Sequence, residues 1–328
     1  MNLSDIVLKH NKSVVKSRGD VDITIDGLSS PVVLSNMETC QNETVLKIFK
    51  DNKLPYVYHR LCPTEQILNF VRKSNYNTEF TSISVGVSEE YKNLLRQIKQ
   101  EELYLDWLTI DVALIYNEHF EEYIKWVRGE FPNVYLIAGN FNGIECADWL
   151  HDLGVDCGKA NIGTSALCRT RQYTGFGTDI LSFYDTCNKS KIDLMFDGGL
   201  TILDEERGEI AYGDIFKVVA MGAKWVMSSS LFRWAHELGD NGFITQYGNS
   251  TARAKGYDRN VEGAVKQFKT QYVLKEQLNK IKENLQSSVS YAGYSSLHEC
   301  CGKFSEFLYD SNIQKKYYVT EYTGIKLV

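Results

Sequence analysis

The chain has 328 residues, 43% of them hydrophobic, and a formal net charge of −6 at pH 7. That balance argues against wrapping nucleic acid by charge, although backbone N–H groups and helix N-termini can still hold phosphate. No apolar run is long enough to span a membrane as a helix, which needs about 18 residues or more.

The N-terminus, MNLSDIVLKHNKSVVKSRGD, has no apolar signal core and no small-residue cleavage site. The eight cysteines form no C-x-x-C and no Cys/His cluster with zinc spacing. A reduced cytoplasmic protein without a resident metal is expected. Cys40, Cys62, Cys146, Cys157, Cys187, Cys300 and Cys301 are expected to be packing residues.

Short apolar runs recur along the chain, each followed by a helix-like stretch. They are Pro31 to Ser35, Pro55 to Tyr58, Thr81 to Val87, Asp106 to Val112, Val134 to Gly139, Asp156 to Ile162, Ile192 to Asp197 and Lys224 to Ser229. Several are apolar throughout, as parallel strands buried on both faces must be. Between them, Phe120, Tyr123, Ile124 and Val127 fall on one helical face behind a capping Asn117. Thr64 is expected to cap a helix whose buried side is Ile67, Leu68 and Val71. Asp214 opens a further helix, and Gly222 ends it. Eight such units predict a single (β/α)8 barrel over residues 1–328, with a short N-terminal arm and a C-terminal tail. The competing open, doubly wound sheet lacks its usual G-x-G-x-x-G after the first strand.

Barrel chemistry sits at the C-terminal ends of the strands. The loop after the sixth run, Asn161 to Gly177, is rich in small residues and carries Cys168, Arg169, Thr170 and Arg171. A thiol in such a loop is a candidate nucleophile if N–H dipoles or cations stabilise its thiolate. Asp197, Gly198 and Gly199 follow the seventh run, and an aspartate with two glycines suits a ribose with its phosphate. An isolated tight turn would look the same. Ser228, Ser229 and Ser230 follow the eighth run, where barrels commonly bind phosphate.

The order of these segments resembles the IMP dehydrogenase / GMP reductase family. KSRGDVDI (16–23), SNMET (35–39), TIDVALIYNEHF (109–120) and AGN (138–140) resemble its other motifs, so the likeness covers about residues 14 to 300. The resemblance implies that Cys168 attacks C2 of a purine nucleotide monophosphate, with Thr170 and Glu262 assisting at that carbon. It implies that Asp197 holds the ribose, and that Gly198, Gly199, Ser229 and Ser230 surround the phosphate. Tyr247, Gly248, Asn249 and Ser250 then lie along the base, and Arg259 precedes Glu262 as in the reductases. Asp111 and Arg60 fall on the NADPH side.

A reductase, converting GMP to IMP and ammonia with NADPH, is favoured over IMP oxidation. No inserted regulatory domain is visible, and only eleven residues separate Ser250 from Glu262, too few for a dehydrogenase flap. The resemblance also implies a homotetramer. Several positions depart from the family. Asn161-Ile162-Gly163-Thr164-Ser165-Ala166 replaces its Gly-x-Gly-Pro-Gly-Ser, which argues against a monovalent cation held by that loop's carbonyls. Arg60 stands for a lysine, Leu114-Ile115 for Asn-Gly and Asn249 for a methionine. These departures leave open a modified or deoxy substrate, or a nucleotide-binding relative without turnover. An unrelated flavin-phosphate barrel would leave Cys168 and Glu262 unexplained.

Overall fold

The computed structural model describes residues 2–165, 167–256 and 261–309. Among these, eleven strands occur in chain order: β1 (Val32–Leu34), β2 (Ser82–Val85), β3 (Trp107–Asp111), β4 (Tyr135–Phe141), β5 (Cys157–Ala160), β6 (Asp193–Asp197), β7 (Ile202–Asp204), β8 (Glu209–Ile210), β9 (Trp225–Ser228), β10 (Phe243–Tyr247) and β11 (Val265–Lys269). Seven of them form one parallel sheet in the order β1-β9-β6-β5-β4-β3-β2. Helices connect successive strands of this sheet, so the chain is an α/β protein.

Seven of the eight predicted runs contain a strand of this sheet. The second, residues 55–58, lies between its two edges and makes single parallel bridges, Leu34 to Tyr56 and Tyr58 to Ile83. No continuous ladder closes the sheet there. The local reason is chemical. Pro55 has no N–H to give. The carbonyl of Val57 accepts from Gln41 Nε2 at 2.6 Å, and the N–H of His59 donates to Gln41 Oε1 at 3.2 Å. One buried glutamine therefore occupies groups that a longer ladder would use.

The sheet carries buried apolar side chains on both faces, and these belong to separate clusters. Val32, Leu34, Leu136, Ala138, Leu194, Phe196 and Val226 pack outward in the larger cluster with the helices. Val33, Val57, Trp107, Ile137, Cys157, Met195, Trp225 and Met227 form the other. The alternation follows from the two-residue period of a strand. Trp107 and Trp225 meet edge to face at 4.8 Å in that second cluster.

Helix Glu118–Glu130 begins as expected, with the Asn117 side chain accepting from the N–H of His119 at 3.0 Å. Thr64 does not cap its helix: Pro63 takes the capping position, and the Thr64 hydroxyl instead donates to Glu90 at 3.4 Å. Ile67, Leu68 and Val71 are buried as read. Asp214 is buried at the start of helix Gly213–Met221, accepts from the N–H of Thr201 and pairs with Lys217 at 2.9 Å. Gly222 ends that helix at φ 120°, where a side chain would be strained. Two hairpins stand outside the sheet, β7 with β8 and β10 with β11. No helix among the described residues is long and apolar enough to cross a membrane.

Candidate active site

Two stretches far apart in sequence meet beside Cys168. The β10–β11 hairpin pairs Tyr247 with Val265, so the intervening connection projects from one end of it. Within that connection the N–H of Glu262 donates to Ser250 O at 3.1 Å. Cys168 forms an antiparallel bridge with Gly263. On either side, the N–H of Arg169 donates to Glu262 O at 2.6 Å and that of Ala264 to Leu167 O at 2.9 Å. Gly263 lets the connection fold back on itself, because a Cβ there would lie 2.5 Å from the Thr251 methyl.

This stitching sets up a short relay. The Cys168 thiol donates to Thr170 Oγ1 at 3.2 Å, and the Thr170 hydroxyl donates to Glu262 Oε2 at 2.5 Å. All three residues are partly buried and line a cavity of about 230 Å³. Burial holds the other thiols protonated: Cys40 and Cys62 are pushed up to about 11, and Cys146 and Cys300 up to about 12. Burial also raises Cys157, Cys187 and Cys301. Cys40, Cys146, Cys157 and Cys300 are buried and Cys62, Cys187 and Cys301 partly buried.

The facing wall of the cavity is an ion network built on strand ends. Lys159 of β5 is buried, with Nζ 2.7 Å from Asp111 Oδ1 and 3.2 Å from Asp197 Oδ2. Arg60 Nε donates to Asp111 Oδ2 at 3.1 Å. Asn140 Nδ2 donates to Asp197 Oδ2 at 2.7 Å and to Asn161 O at 3.0 Å. Gly139 leaves room for this crossing, since a Cβ there would meet the Lys159 carbonyl oxygen and Cβ within about 2.5 Å. Burial alone would lower the Lys159 ammonium, but Asp111 and then Asp197 outweigh it and hold it above its ordinary range. Burial alone would raise the Asp111 carboxyl, but Lys159 and then Arg60 outweigh it and hold it well below the carboxylate range. Two cations and two carboxylates thus balance in one buried network.

The predicted residues do not all face this cavity. Arg60, Asp111, Cys168, Thr170, Asp197, Gly198, Ser229, Gly248, Asn249, Ser250 and Glu262 line it. Gly199 instead lines a neighbouring cavity of about 290 Å³ with Thr164, Arg171, Thr178 and Thr201. The Ser230 hydroxyl pairs with that of Ser228 at 3.1 Å. Tyr247 turns its hydroxyl to Glu38 Oε2 at 2.8 Å, with the Arg253 guanidinium over its ring. Arg259 and Ala166 lie outside the described residues, as do Tyr317, Tyr318 and Tyr322 of the tail. Sequence reasoning missed Lys159, Asn36, Asn140 and Asn161. A lysine inside an otherwise apolar strand was the available signal for the first. The asparagines gave none, because an asparagine at a strand end reads as a turn. Among the described residues, no group of three or more His, Cys, Asp or Glu is placed to hold a metal ion.

The model of the IMP dehydrogenase / GMP reductase domain matches residues 3–310. A GMP reductase of Staphylococcus epidermidis (strain ATCC 12228 / FDA PCI 1200) is 33% identical over 308 residues, covering 89% of this chain and 91% of its own. A GMP reductase of Staphylococcus aureus (strain N315) shows the same identity and coverage. The match spans the thiol loop, the ion network and the hairpin alike, and the chain belongs to the IMP dehydrogenase / GMP reductase family.

Proposed function

We propose that this chain is a GMP reductase-type oxidoreductase, removing the 2-amino group of a guanine nucleotide at the expense of NADPH. The carrying observation is the relay of Cys168, Thr170 and Glu262, at 3.2 and 2.5 Å, on one wall of a cavity whose other wall holds Asp111 and Arg60. The Cys168 sulfur bonds to C2 of the base, and the amine leaves as ammonia. Thr170 and Glu262 carry protons between the thiol, the departing amine and solvent. Proton transfer by such positioned groups contributes about 10²–10⁴-fold. Asp197 accepts from the ribose, and Gly198 and Ser229 receive the phosphate end.

The dinucleotide side fits the residues present. Arg60 commits Nε to Asp111 yet keeps 22% side-chain exposure at the cavity. Val112 and Ala113 add an apolar wall, which suits a flat ring beside a charged tail. The reduced nicotinamide, when bound, supplies the hydride that replaces sulfur at C2 and frees the thiolate. The sheet belongs to a (β/α)8 barrel in this reading, with residues 55–58 as its reduced second strand. The enclosed Trp107–Trp225 cluster and the two bridges support that closure.

The test is loss of NADPH absorbance with GMP, dGMP and IMP offered separately. GMP-dependent loss with ammonia release is expected. Cys168→Ala should abolish turnover while nucleotide affinity stays within about tenfold, because the thiol acts in chemistry more than in ground-state binding. Unchanged turnover in that variant would remove the mechanism.

A further inference from the structure

Asn249 links the two walls of the cavity. Its neighbour Ser250 accepts through its carbonyl from the N–H of Glu262 at 3.1 Å, which ties it to the thiol relay. Its own side chain reaches the opposite wall, with Nδ2 3.3 Å from Asn36 O and 3.5 Å from Asp111 Oδ2. Both of those atoms only accept hydrogen bonds. Turning the amide over would set its oxygen against a carbonyl and a carboxylate, so its orientation is determined by its neighbours. The side-chain oxygen is therefore the part left for something else. It is not among the buried polar atoms without partners, and Asn249 lines the cavity and is only partly buried. An accessible carbonyl oxygen on the cavity that the relay also lines calls for an N–H donor on the bound molecule.

We propose that Asn249 is a specificity-determining residue whose side-chain oxygen accepts from the exocyclic amine of the base. This deepens the proposed function and rests on it. The reaction removes that amine, so the contact exists with substrate and vanishes with product. A site arranged in this way binds a 2-amino purine nucleotide more tightly than its deaminated product, and releases the product for that reason. The effect is large because a polar group left without its partner loses more than the bond was worth.

Isothermal titration of the full chain with GMP, IMP and NADPH, each alone, tests this in wild type, Asn249→Leu and Asn249→Ala. Circular dichroism confirms that each variant is folded, and the smaller substitution serves if the larger disturbs the loop. Wild type should prefer GMP over IMP. In the variants GMP affinity should fall by about tenfold, the equivalent of ~1.4 kcal/mol, while IMP affinity changes by less than about threefold. Parallel changes for both nucleotides overturn the proposal, as does a loss confined to NADPH. Wild type that binds neither nucleotide overturns the purine reading itself. Wild type that binds both with variants that keep its preference leaves that reading standing and removes only the role of Asn249.

Discussion

Glu262 accepts from the Thr170 hydroxyl at 2.5 Å, and that bond is its link to the Cys168 thiol. In Glu262→Gln the amide oxygen still accepts, so the loop should keep its shape, but no group there can hold a proton. A kcat lower by roughly 10²-fold with GMP affinity little changed is expected from steady-state kinetics and calorimetry. An equal loss of affinity would make Glu262 a binding residue instead. Lys159 predicts a different kind of result. Lys159→Met leaves Asp111 and Asp197 facing each other in the interior without their shared cation, which should cost about 3–5 kcal/mol in urea unfolding. The same network sets the pH dependence. The lowered Asp111 pKa contributes stability above the ordinary carboxylate value of about 3.9, lost as pH falls through its lower folded value. The raised Lys159 pKa contributes below about 10.4, lost as pH rises through its higher folded value. Calorimetry should therefore show a Tm level across neutral pH that falls at both extremes, with the acid fall blunted in Lys159→Met.

At the scale of elements, the strand ends carry the site, and the connection after β5 shows how sequence departures are absorbed. Asn161 sits at φ 107°, a conformation that favours glycine, and is buried. Its Nδ2 donates to Gly198 O at 3.3 Å, tying the loop after β5 to the loop after β6. The amide thus offsets part of the backbone strain. Asn161→Ala keeps the strain without the tie and should destabilise by about 1–3 kcal/mol, whereas Asn161→Gly should stay within about 1 kcal/mol of wild type by chemical denaturation. Equal effects from the two substitutions would show that the backbone angle is not the cause. The helical stripes were legible because apolar residues at i, i+3, i+4 and i+7 leave little choice of buried face. The Thr64 cap was misread because Pro63 can hold the same position with its constrained φ, and nothing in the local pattern ranks the two. The β10–β11 hairpin went unread. Its strands carry polar residues on partly exposed positions, so no apolar alternation marked them.

For the molecule as a whole, the second buried cluster on the sheet is a test of the core. Trp225 is fully buried there against Trp107. Trp225→Ala should cost roughly 3–5 kcal/mol, measured as a lower urea midpoint in one cooperative transition. A loss below about 1 kcal/mol would mean that this cluster is not a packed core. Leu114, Tyr116, Tyr173 and Phe176 are exposed apolar or aromatic side chains. Homotetramer assembly, proposed from the family likeness, would place such groups against other subunits. Light scattering at a mass near four times 37.5 kDa is the expected result, and a monomer mass would rule it out.

The sequence by itself determined the order of the units and the apolar character of the strands. Each of these depends on local period or on residue chemistry, which a single chain displays directly. Cys168 and Asp197 stood out as candidates by their loops, while the roles proposed for Thr170 and Glu262 came from the family resemblance. Only the tertiary structure decided that Gly263 lies against Cys168, that Lys159 joins Asp111 to Asp197, and that Gln41 takes the groups which would have lengthened the pairing of residues 55–58. It also turned Gly199, Ser230 and Tyr247 away from the central cavity. These are contacts between distant segments. They follow from strand register and from which side chain first satisfies a buried polar group, and neither is written in any one stretch of sequence.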